Sequence, residues 1–197
     1  GPEVARARSK CDVLVVSMHW GIEYMKRPTE RQRGLARAAI DSGADLVLVP
    51  GDVSWAMRFE EAEKDLQWLD QLPGRKILLK GNHDYWWPSI SRLRDHIRGT
   101  SLFALQYDAI TIGGASVGGT RLWTMPALEI PYEDPLEIPS TAGQDARGQR
   151  TPAMPHDEKI FRRELGRLKL SLESMERETG LRIVMTHFPP TDESGKD

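Results

Sequence analysis

Four short segments hold most of the residues able to do chemistry: Ser17-Met18-His19, Gly51-Asp52, Gly81-Asn82-His83-Asp84 and Thr186-His187. Together they offer three imidazoles, two carboxylates and an amide. That mixture suits divalent cations such as Mn, Fe or Zn, and a carboxylate can bridge two of them about 3.5–4 Å apart. A binuclear metal site is the chemistry these residue types point to. Each segment also has a plainer reading. Asp52 after Pro50-Gly51 suits a turn, Asn82-His83-Asp84 suits a tight turn with Asn in the left-handed region, and His187 ahead of Pro189-Pro190 suits packing at a strand end. Their shared placement favours the metal reading.

That placement is the end of a strand. Residues 12–17, DVLVVS, form a continuous apolar run of the kind a strand buried on both faces requires. Thr29 is positioned to cap a helix reaching Ser42, with Leu35, Ala39 and Ile40 on one side and Gly43 as its stop. A second buried strand, DLVLV, begins at Asp45, so a right-handed strand–helix–strand unit with parallel strands is expected. The pattern recurs: Phe59, Ala62, Leu66 and Leu69 mark a helix ending before Pro73-Gly74, and KILLK from Lys76 is the next strand. In a parallel α/β sheet ligands bind beyond the carboxyl ends of the strands, where these polar segments fall.

From Ser101 the runs shorten to SLFALQ, AITIGG and ASVGGT, which predicts antiparallel pairing. Residues 126–155 carry six prolines, and five acids lie between Glu129 and Asp145 with no base among them, which reads as a long surface excursion. Asp157 is placed to cap a helix with an apolar stripe of Phe161, Leu165, Leu168, Leu172 and Met175, closed by Gly180 before the strand LRIVMT. Periodicity leaves open whether that stripe covers the core sheet or a partner.

Composition narrows the class. With 197 residues, 39% hydrophobic and 28% charged, the chain suits one globular domain, residues 1–197. A net charge of −2 does not indicate nucleic acid as a partner. Bases outnumber acids over the first 40 residues, best read as a solvated helix face. Cys11 is the single cysteine, so zinc ribbons and CxxC redox sites are excluded. No apolar run approaches the roughly 20 residues of a membrane span, and a soluble, cytoplasmic protein without membrane partners is expected.

The stretch from Asp45 to about Pro190, with LVLVPGDVSWAM, ILLKGNHDYWW, GTRLW and MTHFPP, resembles a bacterial branch of the calcineurin-like metallophosphoesterases. The resemblance implies a layered α/β sandwich with mixed sheets. It also implies that Asp52 bridges two metals, that Asn82 and His187 bind the second, and that His83 contacts the scissile phosphate or protonates the leaving group, oriented by Asp84. A phosphate ester or anhydride would be the substrate, cleaved by a metal-bound hydroxide. Two departures stand out. The family's first motif is Asp-x-His, where this chain has Ser17-Met18-His19, so His19 matches as a ligand and the carboxylate is replaced. The family's Gly-His-x-His occurs nowhere in the chain, implying a fold shortened at its C-terminal side and a depleted first metal position.

Residues 1–49, with VVSMHWGIEYMKRPTERQRGLARAAIDSGADLVL, are instead similar to bacterial poly-gamma-glutamate capsule-synthesis proteins of the same superfamily. The chain therefore reads as a junction near residues 45–50, within a strand both families share. Metal-dependent phosphoester hydrolysis is the leading reading. The alternatives are an impaired phosphoesterase-like module that binds metal or phosphate without turnover, and a fragment of a capsule-polymer synthesis protein.

Secondary candidates complete the set. Trp55, Trp86 and Trp87 flank the proposed metal loops and suit either stacking on a substrate ring or packing over the sheet edge, with Trp86 taken as the substrate contact. Arg121 suits either bidentate grip of a phosphate or pairing with a structural carboxylate. His96 and His156 read as surface residues.

Overall fold

The computed structural model describes residues 2–11, 14–18, 29–112, 114–124 and 155–190. The elements run α1 (Pro2–Arg8), β1 (Val15–Ser17), α2 (Glu30–Asp41), β2 (Leu46–Val49), α3 (Phe59–Gln71), β3 (Arg75–Leu79), α4 (Ile90–His96), β4 (Leu102–Leu105), β5 (Ala109–Ile112), β6 (Ala115–Thr120), α5 (Pro155–Ser174) and β7 (Leu181–Thr186). Two sheets result. The first has the order β1-β2-β3-β4, all parallel; the second has the order β5-β6-β7, antiparallel then parallel. This is the layered α/β sandwich expected.

Strand alternation builds the two cores. Val47, Val49, Leu78 and Ala104 point to the side where Ala36, Ile40, Ala62, Leu66, Leu69 and Leu93 of the first helices pack. Leu46, Leu48, Ile77, Leu79 and Leu105 point the other way and meet Ile112, Val117 and Met185 of the second sheet. Period-two alternation in β2 and β3 thus serves both layers, which is why these strands read as unbroken apolar runs.

Four expectations need correction. The strand at Ser101 is not paired antiparallel with its successor: β4 lies parallel to β3, because the crossover helix α4 intervenes. β1 is an edge strand, half-buried with Ser17 exposed, rather than buried on both faces. In α2 the inward residues are Ala36, Ala39 and Ile40, while Leu35 faces solvent. The face that α5 turns to the second sheet carries Asp157, Glu164 and Ser171, seven residues apart, with Met175 buried just beyond the helix end. Ser171 Oγ accepts from the Gly119 amide at 2.7 Å and donates to the Asp108 carbonyl at 2.6 Å, while Leu165 and Leu172 stay exposed. Asp157 accepts from the Trp123 indole at 3.1 Å.

Residues 126–154 and His19 lie outside the described residues, as does the side chain of His156. Among the described residues no helix is long and apolar enough to cross a membrane.

Candidate metal centre

The centre is assembled where β2, β3 and β7 end. After Val49 the chain passes Pro50 and turns at Gly51, whose φ of +124° is open to glycine alone. A Cβ there would sit 2.3 Å from His187 Nδ1 and 2.9 Å from the Gly81 Cα. Asp52 follows at φ +54°, a left-handed conformation aspartate tolerates better than most residues. Gly81, at the end of β3, is equally constrained, since a Cβ would fall 2.0 Å from Asp52 Oδ1. Glycines at 51 and 81 let the two strand ends and the His187 ring approach at backbone distance.

Into that space project Asp52, Asn82 and His187. His187 Nδ1 lies 3.0 Å from the Pro50 carbonyl, which can only accept, so Nδ1 carries the proton. Nε2 then lies 2.7 Å from Asn82 Oδ1 and 3.7 Å from Asp52 Oδ2. Electron-rich atoms of an imidazole, an amide and a buried carboxylate thus converge. A divalent cation would replace the hydrogen bond between Nε2 and Asn82 and take the three groups as ligands, and a backbone carbonyl on the far ring nitrogen is how metal-binding histidines are usually fixed. The donor set fits one cation. Among the described residues no three His, Cys, Asp or Glu side chains form a metal-holding group, so the amide is what completes the trio.

His83 stands beside it. Its backbone N–H donates to Asp52 Oδ1 at 3.0 Å, and its half-buried ring stacks on Trp55 with centroids 4.3 Å apart and meets Tyr85 edge-on at 6.2 Å. Asp84 does not orient that ring here. Its carboxylate accepts from the Gly81 amide at 2.8 Å, the Ser54 amide at 3.1 Å and Trp86 Nε1 at 2.9 Å, tying the β2 and β3 loops together. Burial pushes its pKa up to about 6 and the nearby Asp52 charge adds to this, while the three hydrogen bonds oppose it. Lys80, just before the loop, has its pKa lowered by burial and then by the Arg121 charge.

Trp86 is not available as a substrate contact. It is buried in the core beneath the loop, as is Trp87, and of the three tryptophans Trp55 is the one that meets the His83 ring. Arg121 pairs with a carboxylate, lying 3.4 Å from Glu164, and its guanidinium stacks over Trp123 at 4.6 Å. Its carbonyl accepts from the amides of His187 and Phe188, at 3.2 and 2.9 Å, locking the β7 end. His96 is remote, lying against Phe59 and 3.5 Å from Glu63. Sequence reasoning missed Glu164, Arg163 and Arg167, whose signal was the charged run RRELGR of α5, in which Glu164 alone is buried.

Comparison with known proteins locates a similarity in the first quarter of the chain. Residues 2–50 match the family described as bacterial capsule synthesis protein PGA_cap, of the metallophosphoesterase-like superfamily. The PGA biosynthesis protein CapA of Bacillus subtilis (strain 168) is 47% identical over 47 residues, covering 24% of this chain and 12% of that protein. The capsule biosynthesis protein CapA of Bacillus anthracis is 44% identical over 41 residues, covering 21% of this chain and 10% of that protein. The chain thus matches about a tenth of these relatives' length. A solved structure of a protein of unknown function, AQ665 from Aquifex aeolicus, aligns over 64% of this chain and 63% of its own, at 20% identity and a TM-score of 0.33. The chain is therefore similar to capsule-synthesis proteins over residues 2–50, a segment that includes His19, whereas the described side chains of the candidate centre, Asp52, Asn82, His83 and His187, lie beyond it.

Proposed function

We propose that the protein is a metal-dependent phosphoester hydrolase. The observation that carries this reading is the convergence of His187 Nε2, Asn82 Oδ1 and Asp52 Oδ2 at the carboxyl ends of three strands, with the histidine tautomer fixed by Pro50. Asp52, Asn82 and His187 would hold a divalent ion, Mn, Fe or Zn, and a second ion would depend on residues such as His19. When bound, such an ion lowers the pKa of water and offsets phosphate charge. The chain's own residues supply the rest. The His83 imidazole, held against Trp55, would give a proton to the leaving-group oxygen. Asp84 holds the loop so that the His83 amide stays on Asp52, keeping that carboxylate's second oxygen turned toward His187.

Hydrolysis of an aryl phosphate with Mn²⁺ supplied is the test. Turnover that chelation abolishes and Mn²⁺ restores supports the reading, and turnover indifferent to chelation overturns it. Bound Mn²⁺ with no hydrolysis of either a monoester or a diester would favour the second reading, a non-catalytic module. The similarity of residues 2–50 to capsule-synthesis proteins favours a role in capsule-polymer synthesis for such a module.

A further inference from the structure

Next to the candidate centre lies a group of charges that the reading above leaves unused. Glu164 of α5 is fully buried, and three guanidiniums gather on its Oε1: Arg167 at 2.7 Å, Arg163 at 3.1 Å and Arg121 at 3.4 Å. Thr120 donates to the other oxygen at 2.8 Å. Among the described residues, three cations against one anion leave two positive charges over. Each guanidinium carries five donors, so donors remain after Glu164 is served. The group adjoins the metal-binding strand end directly, because the Arg121 carbonyl receives the His187 amide. Lys80 lies within electrostatic reach of Arg121, Arg167 and Glu164, with Asp84 offsetting its charge. Arg121 is mostly buried and Arg167 less so, while Arg163 is half exposed, so the group is open to a soluble anion on that side.

We propose that Arg121, Arg163 and Arg167 form a subsite for a second phosphate group of the substrate, making the preferred substrate a phosphoanhydride of the nucleoside-diphosphate class rather than a simple monoester. Charge selects phosphate over carboxylate, since a phosphate dianion balances the surplus of two and a carboxylate balances half of it. Planar guanidinium forks also match phosphate oxygens in pairs. In hydrolysis the oxygen of water would bond to the phosphorus held beside Asp52, Asn82 and His187, and the bridging P–O bond would break. The electron pair leaves with the phosphate seated on the arginines, and the protons of water pass to products and solvent. The choice of substrate rests on the hydrolase reading, whereas binding of the anion does not.

Calorimetric titration of the chelator-treated chain with inorganic diphosphate separates the two. The parent should bind one diphosphate, Arg163→Gln should weaken binding about tenfold, and Arg162→Gln should change it by about twofold at most. Arg162 is the matched control, an exposed neighbour on α5 paired with Glu158 at 2.6 Å. Arg163→Gln leaves Glu164 its bonds from Arg121, Arg167 and Thr120, so the fold is kept, and a melting curve verifies this. Glutarate, a dicarboxylate, should bind about tenfold more weakly than diphosphate. No saturable diphosphate binding, equal weakening by both substitutions, or equal affinity for glutarate overturns the subsite. Diphosphate binding without metal-dependent hydrolysis of any phosphate sinks the hydrolase reading and leaves the subsite standing; aryl-phosphate hydrolysis without diphosphate binding does the reverse.

Discussion

Residues 2–50 and residues 51–190 do different work. The first segment supplies α1, β1, α2 and β2, and its buried side chains, Ala36, Ala39, Ile40 and Leu46 to Val49, go into the two cores. Among the described residues it gives the candidate centre one group, the Pro50 carbonyl that fixes His187. The second segment supplies the described side chains of the centre, Asp52, Asn82, His83 and His187, together with the arginine group. Similarity to capsule-synthesis proteins stops at residue 50, one step before Gly51-Asp52. The shared strand, β2, is buried on both faces and pairs in parallel with β1 and β3. What carries over across that seam is a strand able to serve any layered sheet, whereas the chemistry depends on the turn that follows it.

Breaking the second segment should cost the most. Asp52→Asn removes the anionic oxygen facing His187 while keeping the shape, so Mn²⁺ content after dialysis should fall to background with the melting temperature little changed. Gly81→Ala forces a methyl group onto Asp52 Oδ1 and should also lose metal, now with a lowered melting temperature. His83→Ala should keep the metal and slow aryl-phosphate turnover about 10² to 10⁴-fold, because a proton donor is lost and the cation's ligands are not. If metal and rate fall together, His83 is a ligand.

Breaking the first segment should leave the centre alone. Ile40→Ala empties part of the helix-side core and should cost about 2–5 kcal/mol in denaturant unfolding, with Mn²⁺ affinity unchanged wherever the variant is folded. The smallest effect concerns Lys76, buried at the start of β3, where Nζ donates to the Leu72 and Gly74 carbonyls and to Ser101 Oγ. Burial lowers its pKa from 10.5 to about 8, opposed by the Asp70 charge. Below pH 8 both folded and unfolded chains are protonated and the cost of burying the charge is complete. Between pH 8 and 10.5 the unfolded chain holds more protons, so stability from this group rises with pH. Melting curves of the parent and Lys76→Met from pH 7 to 10 should shift in the parent's favour as pH rises.

Much of this was legible in the sequence because buried parallel strands write themselves as apolar runs. DLVLV, KILLK and the helix of Phe59, Ala62, Leu66 and Leu69 all appear close to where they were read. Asn82, Asp52 and His187 were found by their common place at strand ends, and the structure brings the three together. β4 was read as a strand but given the wrong partner, because the short, glycine-punctuated runs that follow it suggest a series of hairpins. The inward face of α5 was missed for a different reason. Hydrophobic periodicity finds apolar faces, and this one is built from Asp157, Glu164 and Ser171, satisfied by Trp123, arginines and backbone amides. Trp86 illustrates the same limit, since an aromatic beside a polar loop reads alike whether it faces substrate or core.

The central claim is that Asp52, Asn82 and His187 share one cation. It is tested most directly by titrating Mn²⁺ into the isotopically labelled chain and following the histidine ring signals, which the bound paramagnetic ion broadens at short range. The account predicts that the His187 ring signals vanish first and those of His83 next, at substoichiometric Mn²⁺, while His96 stays sharp. Persistence of the His187 signals at equimolar Mn²⁺, or uniform broadening that includes His96, would contradict it.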